Sequence, residues 1–293
     1  MKLDQHLVAK SCGDYELLDS GDNMKLERFG EVVVARPETQ ALWQKQKPEL
    51  WDSAHAVFAT PTDGQEKKGS GSASWRIKKS MPESWTVIRT GLPLIARLTG
   101  FKHVGIFPEQ APNWEWLAKS ARAEMKVLNL FGYTGAATVA TARTGAFVTH
   151  VDASKQSLDW ANENARLSGI GEDKIRWMLD DALAFVKREV RRGAKYDGII
   201  LDPPAFGRGA KGEVWKIEED LHTLLTACRS LLADSTGSFF LLNGYAAGYA
   251  SISFAQAVES VFGEISGEAG ELHIKESSTD RVISAGIYVR FVR

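Results

Sequence analysis

From Met125 onward the chain alternates two kinds of segment. Apolar runs of strand length stand at 126-KVLNLF-131, 147-FVTHVDA-153, 174-KIRWML-179, 196-YDGIILDPP-204 and 238-SFFLLNG-244. Between them lie 135–145, 154–169, 181–192 and 216–233, each of helical length. A strand that is apolar throughout must be covered on both faces, and the helix following each strand supplies that cover. The pattern predicts an α/β fold built on a mostly parallel sheet. In 154–169, Leu158, Ala161, Ala165 and Leu167 fall near one face, with Ser154 placed to cap the helix and Gly169 to end it. A helix over 252–262 is followed by extended runs at 268–277 and 281–293, separated by 278-STD-280. They predict an antiparallel C-terminal edge.

The first hundred residues read differently. Short β-like runs at 31–37, 55–61, 75–79, 85–90 and 92–100 are broken by turn residues, and 64-GQEKKGSGSAS-74 reads as a long hairpin tip or loop. We expect a small β-rich module over 1–104, a linker helix over 105–124 and the α/β domain over 125–293. Trp43, Trp51, Trp75, Trp85, Trp114 and Trp116 cluster early in the chain. They fit the core of a small sheet, or faces on which bases stack.

Composition narrows the class. Hydrophobic residues make up 44% of the 293, and no apolar window is long enough for a membrane-spanning helix. The start, MKLDQHLVAK, has an acid where a secretory signal has its apolar core. Cys12 and Cys228 have neither disulfide-framework nor metal spacing, so the expectation is a cytoplasmic protein without a metal. The net charge of −1 means that any nucleic-acid contact needs a local basic patch.

Ligands of open α/β sheets bind beyond the carboxyl ends of the strands. After the first strand comes 129-NLFGYTGAAT-138, where Gly132 and Gly135 permit a sharp turn into a helix. Asp152 follows the second strand, where a carboxylate can accept both hydroxyls of a ribose. Asp180 and Asp181 follow the third, where an acid can accept from an adenine amino group. A nicotinamide dinucleotide needs G-x-G-x-x-G for its pyrophosphate, and 129-NLFGYTG-135 lacks one glycine. S-adenosylmethionine (SAM) has no phosphate, and the loop suits it better. The fourth strand ends in 201-LDPPAF-206. Pro203 and Pro204 stiffen the backbone, Asp202 can accept from an amine or orient a substrate, and Phe206 can pack on a planar ring.

These stretches resemble the class I SAM-dependent methyltransferases. More narrowly, they resemble the bacterial ribosomal-RNA methyltransferases that include the large-subunit cytosine-C5 enzymes. The resemblance rests on 127-VLNLFGYTGAAT-138, 149-THVDASKQSLDWANENARLSG-169, 180-DDALAF-185 and 200-ILDPPAFGRG-209. It covers roughly residues 100–245. It implies a Rossmann-like sheet, with SAM held by Asn129, Phe131, Gly132, Thr134, Gly135, Asp152 and Asp181. The Asp-Pro-Pro at Asp202 would line the methyl-transfer site, and 105-GIFPEQAPNW-114 would be the linker against the SAM site.

One departure matters. Cytosine-C5 methylation needs a thiolate that attacks C6. The cytosine enzymes carry it after the fifth strand, where this chain reads 239-FFLLNGYAAGY-249. Cys228 lies mid-helix, where a thiol is usually structural. We therefore expect a methyltransferase acting on RNA, of the ribosomal class, at a nitrogen or oxygen. The alternatives are a protein or small-molecule methyltransferase and a nicotinamide-dependent oxidoreductase. The stretch 206-FGRGAKGEVWKIEE-219 reads as a mobile lid in which Arg208, Lys211 and Trp215 offer charge and a stacking face.

Overall fold

The computed structural model describes residues 1–59, 74–209, 212–245 and 248–293. They form two compact units. One comprises Met1–Leu7, Glu109–Leu272 and Ala285–Arg293, and the other Val8–Pro108 and His273–Ser284.

After a short strand β1 (Leu7–Ala9), the β-rich unit contains β2 (Tyr15–Gly21), β3 (Met24–Phe29), β4 (Val32–Pro37), β5 (Ala56–Ala59), β6 (Ser74–Ile77), β7 (Ser84–Arg89) and β8 (Leu92–Arg97). Strands β2 to β6 form a five-stranded sheet in chain order, while β7 and β8 pair as a hairpin. The turn between β2 and β3 places Asp22 and Asn23 at φ 52° and 58°, the left-handed region a two-residue hairpin requires. The sequence reading singled out neither β2 nor β3. Their inward positions carry charge: Glu27 is fully buried, gripped by Arg36 Nε at 2.5 Å and by the Tyr15 hydroxyl at 2.9 Å. Such a strand hides the apolar alternation by which strands are recognised. The 64–74 loop lies, apart from Ser74, outside the described residues.

The α/β unit contains α1 (Ala111–Ser120), β9 (Lys126–Leu130), α2 (Ala136–Ala142), β10 (Phe147–Asp152), α3 (Lys155–Leu167), β11 (Ile175–Leu179), α4 (Ala182–Arg191) and β12 (Gly198–Leu201). A small hairpin follows, β13 (Phe206–Arg208) with β14 (Val214–Lys216). Next come α5 (Ile217–Leu231), β15 (Phe239–Gly244), α6 (Ser251–Phe262), β16 (Gly267–Lys275) and β17 (Val282–Val292). The sheet order is β1-β16-β17-β15-β12-β9-β10-β11. Strands β15, β12, β9, β10 and β11 run parallel, and β17 runs antiparallel to β15. This is the expected Rossmann-like sheet with its antiparallel edge, extended beyond β16 by β1.

Leu128, Leu130, Ile199, Leu201, Phe240 and Leu242 are wholly buried between helices, joined by Phe185, Leu224 and Cys228. Burying each such side chain contributes roughly 1.5–3 kcal/mol. From β9 the chain first builds outward through β10 and β11, then returns to the opposite side with β12 and β15. Strand order therefore reverses between β9 and β12, and a crevice opens at such a point.

Candidate active site

Register brings the motif residues to one end of the sheet. Leu130 pairs with Val151 and with Leu201, Leu201 with Leu242, and Asp152 with Leu179. The residues that follow, Phe131, Asp180, Asp202 and Asn243, consequently emerge beside Asp152 at the carboxyl ends.

The loop after β9 is a tight path. Phe131, Tyr133 and Gly135 all have positive φ, at 57°, 48° and 82°. A Cβ on Gly132 would stand 2.4 Å from His150 Cε1, and one on Gly135 would stand 2.8 Å from the Ala161 Cβ. Both glycines are thus required by packing within the chain itself. Beneath them runs a buried polar chain. Asn129 Nδ2 donates to Thr138 Oγ1 at 2.8 Å, and that oxygen lies 2.8 Å from His150 Nδ1. Burial pushes His150 down to about 3, so its ring is neutral at ordinary pH. Thr134 is buried, and its carbonyl accepts from Asn164 Nδ2 at 2.8 Å. Asn129 and Thr134 therefore shape the loop from inside. The Phe131 ring lies on the outer side, 5.1 Å from that of Trp215.

Asp152 accepts the Tyr133 N–H on one carboxylate oxygen and the Ser154 N–H on the other, both at 2.8 Å. A carboxylate offers about four acceptor directions, so one per oxygen remains for a ligand. Burial raises its pKa, and the two backbone N–H groups oppose that shift. Asp181 caps α4 by accepting the Ala184 N–H at 2.7 Å. Asp180 pairs with Arg188 and accepts the Asp181 N–H. Asp181 also lines a cavity of about 250 Å³, walled by Leu183, Lys187 and Glu213 to Trp215.

Asp202 stands apart. Its Oδ1 is inaccessible to solvent and has no hydrogen-bond partner among the described residues. Burial, reinforced by the neighbouring Glu109 carboxyl, pushes its pKa up to about 7. Glu109 is itself buried, in the turn Pro108–Gln110 that leads into α1. The resemblance set 105–114 against the SAM site but did not single out Glu109: nothing local in FPEQ tells that this acid will face a strand end more than ninety positions later. Asn243, at the end of β15, accepts from Asn113 Nδ2 at 2.9 Å. Pro203 is buried, and the Pro204 carbonyl accepts the indole N–H of Trp215 at 2.7 Å.

The expected lid takes another form. Phe206 pairs with Lys216 and Arg208 with Val214, while Trp215 is buried against the loop after β9. Its indole is a structural anchor and offers no stacking face. Phe206 is half exposed and does offer one. Lys211 lies outside the described residues. Cys228 is fully buried in α5, and burial pushes its thiol pKa well up, as befits a structural cysteine.

A protein family described as S-adenosylmethionine-dependent methyltransferase matches residues 60–271. The chain belongs to that family. This methyltransferase uses SAM, which closes the nicotinamide alternative. It is 38% identical to a SAM-dependent methyltransferase from Agrobacterium tumefaciens, whose crystal structure superposes with a TM-score of 0.88 over 99% of this chain and 96% of that one. It is also similar to ribosomal RNA large subunit methyltransferase K/L of Stutzerimonas stutzeri, 33% identical over 62% of this chain and 24% of that protein. With methyltransferase K of Neisseria meningitidis the identity is 25%, over 76% of this chain and 63% of that protein. The methyltransferase thus spans about a quarter of the first relative and under two thirds of the second. No helix among the described residues is long and apolar enough to cross a membrane.

Proposed function

We propose that this methyltransferase acts on RNA, of the ribosomal class, and methylates a nitrogen or oxygen instead of cytosine C5. The observation that carries the reading is the buried, unpartnered Oδ1 of Asp202 at the strand-order reversal. A desolvated acceptor without a donor is costly, about 1–3 kcal/mol or more for a charged group, and an acceptor molecule bearing an N–H or O–H supplies the donor. The rRNA methyltransferase relatives favour RNA as that molecule. The sequestered Cys228 speaks against cytosine C5.

The residues present fit SAM. Asp152 keeps two acceptor directions suited to the vicinal hydroxyls of a ribose, and Asp181 borders a cavity able to take a planar ring. Asn129, Gly132, Thr134 and Gly135 set the path of the loop, Phe131 flanks it, and Asp180 pairs with Arg188 of α4. When bound, SAM supplies a methyl group already activated by its sulfonium. The chain's own task is then to orient the acceptor and receive its proton. Asp202 accepts the hydrogen bond from the attacking group and, as carboxylate, takes the proton released. Pro203 and Pro204 keep that carboxylate from moving, and Phe206 presents a ring face for a base.

The test uses methyl-labelled SAM and total extract from cells lacking this protein. Nuclease-sensitive label, resolved by nucleoside mass spectrometry into an N- or O-methylated base or ribose, is the expected result. Protease-sensitive label would move the acceptor to protein. Recovered 5-methylcytosine would overturn the choice of target atom.

A further inference from the structure

Resting on the RNA reading above, we propose that Asn243 selects the methylated group: its side-chain amide donates to a ring nitrogen or carbonyl of a nucleobase, immediately beside the N–H that Asp202 holds. The target is then a base nitrogen that carries a hydrogen, and a ribose hydroxyl is excluded. The donor is oriented by a buried chain of amides. Arg290 Nη1 donates to Asn113 Oδ1 at 2.9 Å. A guanidinium can only donate, so the atom it meets on Asn113 is the oxygen. The two hydrogens of Asn113 Nδ2 then go to Gln110 at 3.0 Å and to Asn243 at 2.9 Å. Both residues must receive them on oxygen, which fixes the orientation of each amide. The NH2 group of Asn243 is therefore turned away from Asn113. Asn243 is 4% exposed, and that NH2 group has no hydrogen-bond partner among the described residues.

Register places this donor. Leu201 of β12 stands opposite Leu242 of β15, so Asp202 and Asn243 follow at one level on neighbouring strands, about 5 Å apart. The Asp202 N–H donates to the Leu130 carbonyl at 3.3 Å, which keeps Asp202 on the line of its strand. Residues at one level share a face of the sheet, and the bond to Asn113 identifies it as the face that α1 covers. An acceptor, Asp202 Oδ1, and a donor, Asn243 Nδ2, thus stand unpaired on adjacent strand ends and do not pair with each other. Each is costly to bury alone, and a molecule that presents a donor beside an acceptor satisfies both at once. A nucleobase holds an N–H and the neighbouring ring nitrogen or carbonyl rigidly in one plane, and proteins read such edges in splayed-out RNA bases. A ribose hydroxyl has no acceptor in so fixed a relation and would leave the Asn243 hydrogens unmet. Transfer forms the N–CH3 bond, breaks the methyl–sulfonium bond with its electron pair left on sulfur, and hands the released proton to the Asp202 carboxylate.

The experiment incubates the parent protein and two variants with methyl-labelled SAM and RNA from cells lacking this protein, and identifies the labelled nucleoside by mass spectrometry. The parent should label a base nitrogen that bore a hydrogen. Asn243→Asp keeps an oxygen for Asn113 but loses the donor, whereas Asn243→Ala loses both. Each should lower kcat/KM for the RNA by roughly 5- to 150-fold, the range for leaving one buried acceptor of the base unmet. Rates are compared on the pH plateau, because a new carboxylate beside Asp202 moves the rising limb upward. SAM affinity, measured on the same preparations, should not change, which also reports that each variant is folded. If Asn243→Asp keeps the kcat/KM of the parent, the amide serves Asn113 alone, and the proposal falls while the RNA reading stands. Label on a ribose oxygen, or on a ring nitrogen that bore no hydrogen, overturns it in the same way. If no methyl reaches RNA at all, the RNA reading fails first and this selection with it.

Discussion

Two carboxyl groups in this molecule, each with an oxygen shut off from solvent, have opposite surroundings. Glu27 in the β-rich unit is opposed by burial, yet Arg36, Lys25 and the Tyr15 hydroxyl hold its pKa down to about 2. Asp202 in the α/β unit is pushed up to about 7 by burial, and its neighbour Glu109 adds to the shift. One acid is enclosed by donors. The other has an oxygen shut off from solvent with no donor among the described residues, and a second acid beside it. Burying an ionisable group is compatible with a stable structure when donors meet it, whereas a missing donor marks a place where a ligand is expected.

Replacing Asp202 tests that contrast most severely. Asp202→Asn should lower methyl transfer by about 10²- to 10⁴-fold, the range for losing a positioned proton acceptor. SAM affinity should stay within about threefold. Stability should move the other way. A carboxyl with a raised folded pKa contributes stability that is present below its unfolded pKa and lost as pH rises towards 7. The asparagine variant should therefore be more stable than the parent at pH 8, by on the order of 2–4 kcal/mol. Turnover and calorimetry on one preparation decide it. Equal loss of SAM binding and turnover would show that the acceptor and cofactor sites are not separate.

Glu27→Gln should show the reverse behaviour. It removes the buried counter-charge that Arg36 grips, while Lys25 keeps Glu38 at 3.1 Å, and should cost about 3–5 kcal/mol, read from denaturant unfolding. Because Glu27 has a lowered folded pKa, its contribution is present above about 4.5 and fades as pH falls towards 2. The parent should lose stability over that acid range, and the variant should lose less. A Glu27→Gln protein as stable as the parent would refute the structural role. Smaller again is Asp152→Ala, which should weaken SAM binding about 10- to 100-fold through the lost charge-assisted hydrogen bonds. Asp152 also holds the Tyr133 N–H, so part of that loss should appear as slower SAM association, measurable by stopped flow.

How much of this was legible in the sequence depended on distance along the chain. The strand ends could be read because an apolar run followed by Gly, Asp or Asp-Pro-Pro is a local signal. Charged β3 could not be read, since its buried Glu27 is satisfied by Arg36 on the next strand. Asn129 and His150 stand directly opposite in the β9–β10 register, which no local pattern specifies. Their link through Thr138 engages the Asn129 amide within the fold. The glycine-rich text of 206–216 suggested an open lid, and a three-residue pairing with a buried Trp215 lay inside it. Glu109 reaches Asp202 only through the tertiary fold.

That last pair gives the smallest and most discriminating prediction. Asp202 can receive a proton only as carboxylate, so the turnover rate should rise with pH through about 7 and level off above it. Glu109 is the second cause of the raised value, after burial. Glu109→Gln removes a negative neighbour while keeping the side chain's shape, so the rising limb should move to lower pH by up to about one unit. SAM affinity should be unchanged, and the plateau rate should stay near that of the parent if Glu109 acts only through Asp202. A shift to higher pH would mean that Glu109 stabilises the carboxylate, through a shared proton, for example. A profile flat from pH 6 to 8 in both proteins would mean that proton removal does not limit turnover, and Asp202 would then serve as a hydrogen-bond acceptor alone.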